Sequence, residues 1–401
     1  MTAQEDINFL EISTAGTPSN SKVASRVKVV PSLKAYLLDN ASSTLSLTFP
    51  LSERNRELQM TLEEVPLFPS EGLRVSSNHG TELITNPGKT YRGQLTDDPG
   101  SRVYLALYDE DLHLRILRSD GSGYKLFRDQ NRSDGGLPVY ELYEKSSDRA
   151  AIDFVCGNVQ NGHQLKPKGG GSPLMRSSGT GGQGPLRVYL EIDYATYVSL
   201  GGTVENAINA ITTLFAAASS HFDEVNCNMD DGSEYCVTMQ LSEIFIHTTP
   251  DDYPDPGGSV FHRLEDFVLT TNSSSTTNSE LMADGDPSND PDLFQLINWS
   301  DVADHNGGVS NGIGNLCGGT FNPLDNSGNP LFLNGPLAMN GESIALLGPV
   351  ETVPNGGQSD LYAEIIIAHE LGHSMGARHT GANAFYSSDE PANCPGHRYA
   401  T

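Results

Sequence analysis

The chain has 401 residues, with 51 acidic against 24 basic side chains and a formal net charge of -27. That balance repels phosphate backbones and anionic lipid surfaces and argues against nucleic acid as a partner. Hydrophobic residues at 37% fit a soluble globular protein of two ordinary domains, and 41 Gly with 23 Pro require many turns. No apolar run approaches the ~18 residues of a membrane-crossing helix, the stretch AEIIIA at 363–368 being typical of the longest clusters.

The opening stretch, MTAQEDINFLEISTAG, is polar and acidic and has neither the basic start nor the apolar core of a secretory signal. Residues 1–165 alternate apolar and polar side chains in short runs. The clearest is VYLALYDEDLHLRIL at 103–117, and turn signals such as DDPG and SDGSG lie beside it. A β-rich domain is expected there. Residues 166–184, KPKGGGSPLMRSSGTGGQG, are too rich in Gly and Ser to bury much surface and read as a flexible linker. Arg176 within it is the obvious basic candidate for an exposed cleavage point.

From residue 185 to 401 the pattern changes. LRVYLEIDY reads as a strand, VENAINAITTLFAAASSHF at 204–222 as a buried helix, and TMQLSEIFIHTT as a further strand. Strand alternating with helix predicts a second domain of mixed α and β structure. A breaker-rich stretch, TTNSSSTTNSELMADGDPSNDPD, follows, and no internal repeat is visible. The five cysteines are an odd number, so one thiol stays outside any set of internal pairs. Cys227 and Cys236 flank NMDDGSEY, whose Asp-Gly step is a turn signal, which suggests a local bridge and an oxidising compartment.

The segment SDLYAEIIIAHELGHSM opens with Ser359 and Asp360, both able to cap a helix, and reaches Gly376, which can stop one. His369 and His373 stand four apart, so one helix face carries both and both imidazoles can reach one metal ion. Glu370 sits beside them but off that face. A carboxylate so placed is not a ligand but a base for the attacking water. Gly376 lets the chain turn so that His379 supplies a third nitrogen. Three neutral histidines leave the fourth zinc position open, and an open position predicts hydrolysis where a closed one predicts a structural site. His163, His305 and His397 read as exposed loop residues instead.

HELGHSMGARH has the five fixed positions of H-E-x-x-H-x-x-G-x-x-H and so resembles the metzincin zinc metalloproteases. GGVSNGIGNLC at 307–317 resembles the edge strand and cysteine of their adamalysin (reprolysin) branch. YRGQLTDDPGSRVYLALYDEDLHLRI resembles that branch's propeptides, and FVCGNVQ their cysteine-switch segment, with Asn158 where a valine is usual. The resemblance implies an α+β protein: a β-rich prodomain, then a zincin-like (metzincin) catalytic domain with a twisted mixed sheet and an active-site helix. It implies zinc on His369, His373 and His379, with Glu370 as catalytic base. It also implies a Cys317–Cys394 disulfide, calcium at Glu191, protein or peptide substrates and an extracellular setting. Cys156 would close the open zinc position as a thiolate until the linker is cut; the alternative is an inert buried thiol or one paired elsewhere.

One departure stands out. The methionine turn that gives metzincins their name follows the third histidine, and here no methionine follows Met375. The expectation is that this chain is a piece cut from a longer peptidase precursor, rather than a divergent member that lost the turn. The contrasting function is a non-catalytic module that binds zinc or a partner protein and hydrolyses nothing.

Overall fold

A computed structural model describes residues 10–13, 23–29, 43–51, 56–85, 87–108, 111–120, 122–145, 155–156, 185–226, 238–251, 260–272, 291–299, 307–310, 319–321, 337–339, 342–347 and 359–375. These fall into two compact units. Described residues up to 68 and from 85 to 145 form the first, whereas 69–84 join the described residues from 155 to 375 in the second. Two described segments ahead of the linker, 69–84 and 155–156, thus cluster with the second unit.

The first unit begins with β1 (Leu10–Ile12), β2 (Val23–Val29), β3 (Thr44–Leu51) and β4 (Arg56–Val65). The chain then passes through β5 (Leu73–Ser77) and β6 (Gly80–Ile84) of the second unit. It returns as β7 (Lys89–Leu95), β8 (Asp98–Tyr108), β9 (Asp111–Leu117), β10 (Gly123–Asp134) and β11 (Leu137–Lys145). The nine strands pair antiparallel in the order β1-β2-β11-β10-β9-β8-β7-β4-β3. The sheet curls enough for Ser25 of β2 to donate from Oγ to the Pro50 carbonyl of β3, 3.0 Å away, although six strands separate them in the order.

Alternation builds its core. Leu45, Leu47 and Phe49 of β3 turn inward with Leu58, Met60 and Leu62 of β4, Val103, Leu105 and Leu107 of β8, and Leu112, Leu114 and Ile116 of β9. Successive strand residues face opposite sides, so every second side chain reaches this core. The run at 103–117 is thus a hairpin. YRGQL is β7, where Gly93 has a physical reason: a Cβ there would lie 1.8 Å from the Thr61 carbonyl oxygen. Across β2 and β11, Arg26 stands opposite Glu141 and donates from Nε to Oε1 at 2.7 Å, both side chains being 4% exposed. The Tyr143 hydroxyl donates to the other Glu141 oxygen.

The second unit continues with β12 (Val155–Cys156), β13 (Leu186–Ile192), α1 (Tyr194–Ser199), α2 (Val204–Asn226) and β14 (Met239–Ile246). Then come α3 (Val260–Asn272), β15 (Leu293–Trp299), β16 (Gly307–Ser310), β17 (Gly319–Phe321), β18 (Leu337–Met339), β19 (Glu342–Leu347) and α4 (Ser359–Ser374). The expected strand, helix and strand at 186–194, 204–222 and 238–249 are β13, α2 and β14. Eight strands lie in the order β12-β16-β19-β15-β13-β14-β5-β6, and β17 pairs with β18 separately. The five ladders from β19 through β15, β13 and β14 to β5, and from β12 to β16, are parallel, while β16–β19 and β5–β6 are antiparallel.

The central strands are apolar on both faces, as strands covered on both sides must be. Tyr189, Phe294, Leu296 and Ile344 pack with Leu264, Phe267 and Val268 of α3. Helices α2 and α4 pack together, and α4 rests on β19, β16 and β15. At the carboxyl ends of the parallel strands, buried Asp193 caps α1 by accepting from the Thr196 amide at 2.8 Å, and the Arg263 guanidinium and Asn298 amide donate to its other oxygen. Beside it His247 donates from Nε2 to Glu191 Oε1 at 2.7 Å, and Tyr189 donates to Oε2 at 2.8 Å.

Removing one partner of a buried ion pair strands the other charge, whereas replacing both with apolar groups does not. Glu141→Leu should therefore destabilise the protein by ~3 kcal/mol in chemical denaturation, and Arg26→Leu added to it should restore most of that loss; equal losses in single and double variants would show that the pair is not the source. For His247, burial disfavours the charged ring, but the hydrogen bond and charge of Glu191, with Asp251 and Asp193, outweigh it and raise the pKa. A raised value means that stability from this pair is complete below the unfolded value of ~6.5 and fades as pH rises through the folded one. The stability gap between the wild type and His247→Gln should be wider at pH 6 than at pH 9, and a pH-independent gap would refute the charged pair.

Candidate active site

Helix α4 spans Ser359–Ser374, so Ser359 and Asp360 lie within its first turn rather than ahead of it. Its last two turns are enclosed on every side: Ile366, Ile367, Ala368, Leu371 and Met375 are buried, and so are Glu370, His373 and Ser374. A helix buried all round shows no polar stripe, and polar side chains within it need a chemical reason to be there. His369 is half-buried, while Glu370 and His373 are 0% and 2% exposed.

The two imidazoles meet as the four-residue spacing requires. Their ring centroids lie 4.4 Å apart at 83°, and the Nε2 atoms are 2.9 Å from each other. Two nitrogens on one tetrahedral zinc, each ~2.0–2.1 Å from it, lie ~3.3 Å apart, so a shift of a few tenths of an ångström fits this pair to a single ion. Glu370 stays on the same turn and off the shared face of the histidines. The donor set of two imidazole nitrogens with an adjacent carboxylate suits zinc rather than calcium or magnesium.

The sheet beneath holds this helix by more than apolar contact. Strand β15 sends Phe294 and Leu296 to the α3 side and Gln295 to the other, where its side-chain Nε2 donates to the Ile367 carbonyl of α4 at 3.3 Å. Gln295 is fully buried. Within α4 the Ser374 hydroxyl donates to the Glu370 carbonyl at 3.3 Å. Sequence reading passed over Gln295, although an amide in the middle of LFQLINW was the available signal: a polar residue in the middle of a buried strand must find a partner.

The remaining candidates divide by position. Cys156 lies in β12, which pairs in parallel with β16, with Val155 opposite Gly307 and Cys156 opposite Gly308; β16 in turn borders β19 and packs under α4. The strand within GGVSNGIGNLC is thus the neighbour of the cysteine segment. Glu191 is buried with its two oxygens engaged by His247 and Tyr189 rather than gathered with other carboxylates. No group of three or more His, Cys, Asp or Glu side chains suited to a metal occurs among the described residues. Gly376, His379, Cys227, Cys236, Cys317, Cys394 and the linker at 166–184 lie outside them.

No helix of the described residues is long and apolar enough to cross a membrane. A search of curated proteins finds no match. A family model, Reprolysin_5, described as metallo-peptidase family M12, matches residues 185–401. The matched segment is more than half of the chain and contains the sheet from β13 to β19 together with the histidine helix. The two converging imidazoles, the buried carboxylate beside them and this match lead to one assignment: the chain belongs to metallopeptidase family M12, a family of proteases that act on proteins.

Proposed function

We propose that the protein is a latent zinc metalloendopeptidase of the metzincin kind, with residues 1–165 as its prodomain, working outside the cell. The observation that carries this reading is the 2.9 Å approach of the His369 and His373 Nε2 atoms beside buried Glu370 within a segment of the M12 family. His369 and His373 would hold the ion, and His379 would complete the set by its place in the motif. When bound, zinc polarises the substrate carbonyl and acidifies water.

The chain's own residues supply the remainder. The Glu370 carboxylate takes a proton from the attacking water and delivers it to the leaving amine nitrogen, and its burial strengthens that exchange by excluding bulk solvent. The edge of β16 offers backbone amides and carbonyls to an extended substrate by strand addition. Strand β12 takes up that edge in the uncut chain, so substrate and N-terminal segment compete for the same hydrogen-bonding groups. Latency then has two parts: an occupied strand edge, and the Cys156 thiolate as a candidate fourth donor at the metal.

Glu370→Ala should keep zinc yet cleave casein at least ~100-fold more slowly than the linker-nicked wild type, and His373→Ala should lose the metal. A wild-type rate for Glu370→Ala would overturn the mechanism, and zinc content without chelator-sensitive cleavage would mark a binding module instead. Cys156→Ser should gain part of the activity before any linker cut, measured on the same substrate, since the strand edge stays occupied; latency equal to that of the wild type would refute the switch.

A further inference from the structure

The peptidase sheet is completed at its far edge by a hairpin from the N-terminal segment. Strand β14 pairs with β13 on one side and, in parallel, with β5 on the other, Glu243 to Ile246 lying opposite Arg74 to Ser77. Strand β6 returns after the two-residue turn Asn78-His79, with Ser77 opposite Gly80, and becomes the outermost strand. The hairpin lies outside the segment that the family model matches. Burial separates its strands: Leu73, Val75 and Ser76 of β5 are buried, whereas β6 is exposed over most of its length.

Side chains fasten β5 at three points along the ladder. At one end the Arg187 guanidinium of β13 donates from Nη1 to Glu71 Oε1 at 2.7 Å. In the middle the Ser76 hydroxyl donates to the buried Glu243 carboxylate of β14 at 3.1 Å and exchanges a hydrogen bond with Thr81 at 3.0 Å. At the other end Asn78 Oδ1 accepts from the Thr248 amide at 2.8 Å and from its hydroxyl at 3.3 Å. A buried carboxylate at a sheet edge is costly unless it keeps such a donor.

In the order β12-β16-β19-β15-β13-β14-β5-β6, the strands preceding the linker are therefore the three outer ones, β12 at one end and the hairpin at the other. A cut within 166–184 severs neither attachment. The two ends differ in strength: β12 contributes two paired residues, the hairpin a four-residue ladder with its side-chain fastenings. We infer that the outer edge of β14 is a docking surface for Pro69–Ile84, and that this hairpin keeps the N-terminal fragment attached to the peptidase unit after the linker opens, while β12 peels from β16. The attachment is independent of zinc chemistry and of catalysis.

The test uses the full chain with a site for a sequence-specific protease placed in the linker, cut and studied by gel filtration and by hydrogen exchange at the level of single segments. The two fragments should co-elute. Amides of 73–77 and 241–246 should keep their protection within about twofold, while those of 307–310 should exchange at least ~10-fold faster than in the uncut chain. Glu71→Ala/Asn78→Ala should speed exchange in 73–77 about 10-fold in the cut protein. Separate elution, or exchange in 73–77 at the rate of an unfolded chain, would overturn the inference; an unchanged rate in the double variant would overturn the role of the end fastenings. None of these readings depends on activity, so a failed peptidase assay leaves them standing.

Discussion

Two imidazoles and a carboxylate within two successive turns of an enclosed helix are the constraint around which the second unit is arranged. Burying such groups is unfavourable unless every one of them is engaged, and only a framework that supplies both apolar contact and hydrogen bonds can keep them inside. Helix α4 obtains the first from Ile366, Ile367 and Leu371, which are buried where it meets α2 and the sheet. It obtains the second from Gln295, reaching up from β15 to the Ile367 carbonyl. The histidines are thereby fixed by the sheet rather than by the helix alone, which is what a site needs if its nitrogens are to converge before an ion arrives.

The same sheet explains why both faces of β13 and β15 are apolar but for Gln295. With α3 on one side and α4 on the other, Tyr189, Phe294 and Leu296 are as deeply buried as Val188, Leu190 and Ile297 on neighbouring positions. Apart from Gln295, polar groups of these two strands gather at the carboxyl ends, where Asp193, Arg263 and Asn298 satisfy one another and His247 lies against Glu191. The arrangement separates two kinds of polar burial: a structural cluster at the carboxyl ends of the strands, closed by its own hydrogen bonds, and a chemical cluster on α4.

Much of this architecture can be read from residues alone, and the limits have physical causes. Alternation over 103–117 reveals β8 and β9 because period two is a local property of one strand face. The spacing of His369 and His373 reveals their convergence because it depends only on helix geometry. The 69–84 segment escaped, since LRVSS and GTELI alternate in the same way whichever sheet they join. Parallel pairing of β5 with β14 links residues about 170 positions apart and leaves no local signature. Gln295 and His247 were missed for a related reason, as a polar residue in a strand announces a need for a partner but not which one. The start of α4 was displaced by one or two residues because Ser and Asp are favoured both ahead of a helix and within its first turn.

The pairing of Arg26 with Glu141 has a consequence for how the first unit is assembled. The two residues are 115 positions apart, and they face each other only when β2 lies against β11 in one register. A slip of a single residue would turn one strand over relative to the other, leaving the two charges on opposite sides of the sheet. Misaligned versions of the curled sheet thus carry two unmatched charges where the native one carries none. The buried pair acts as a proofreading device, discriminating among near-identical strand alignments that the surrounding leucines, being interchangeable in their contacts, would accept almost equally.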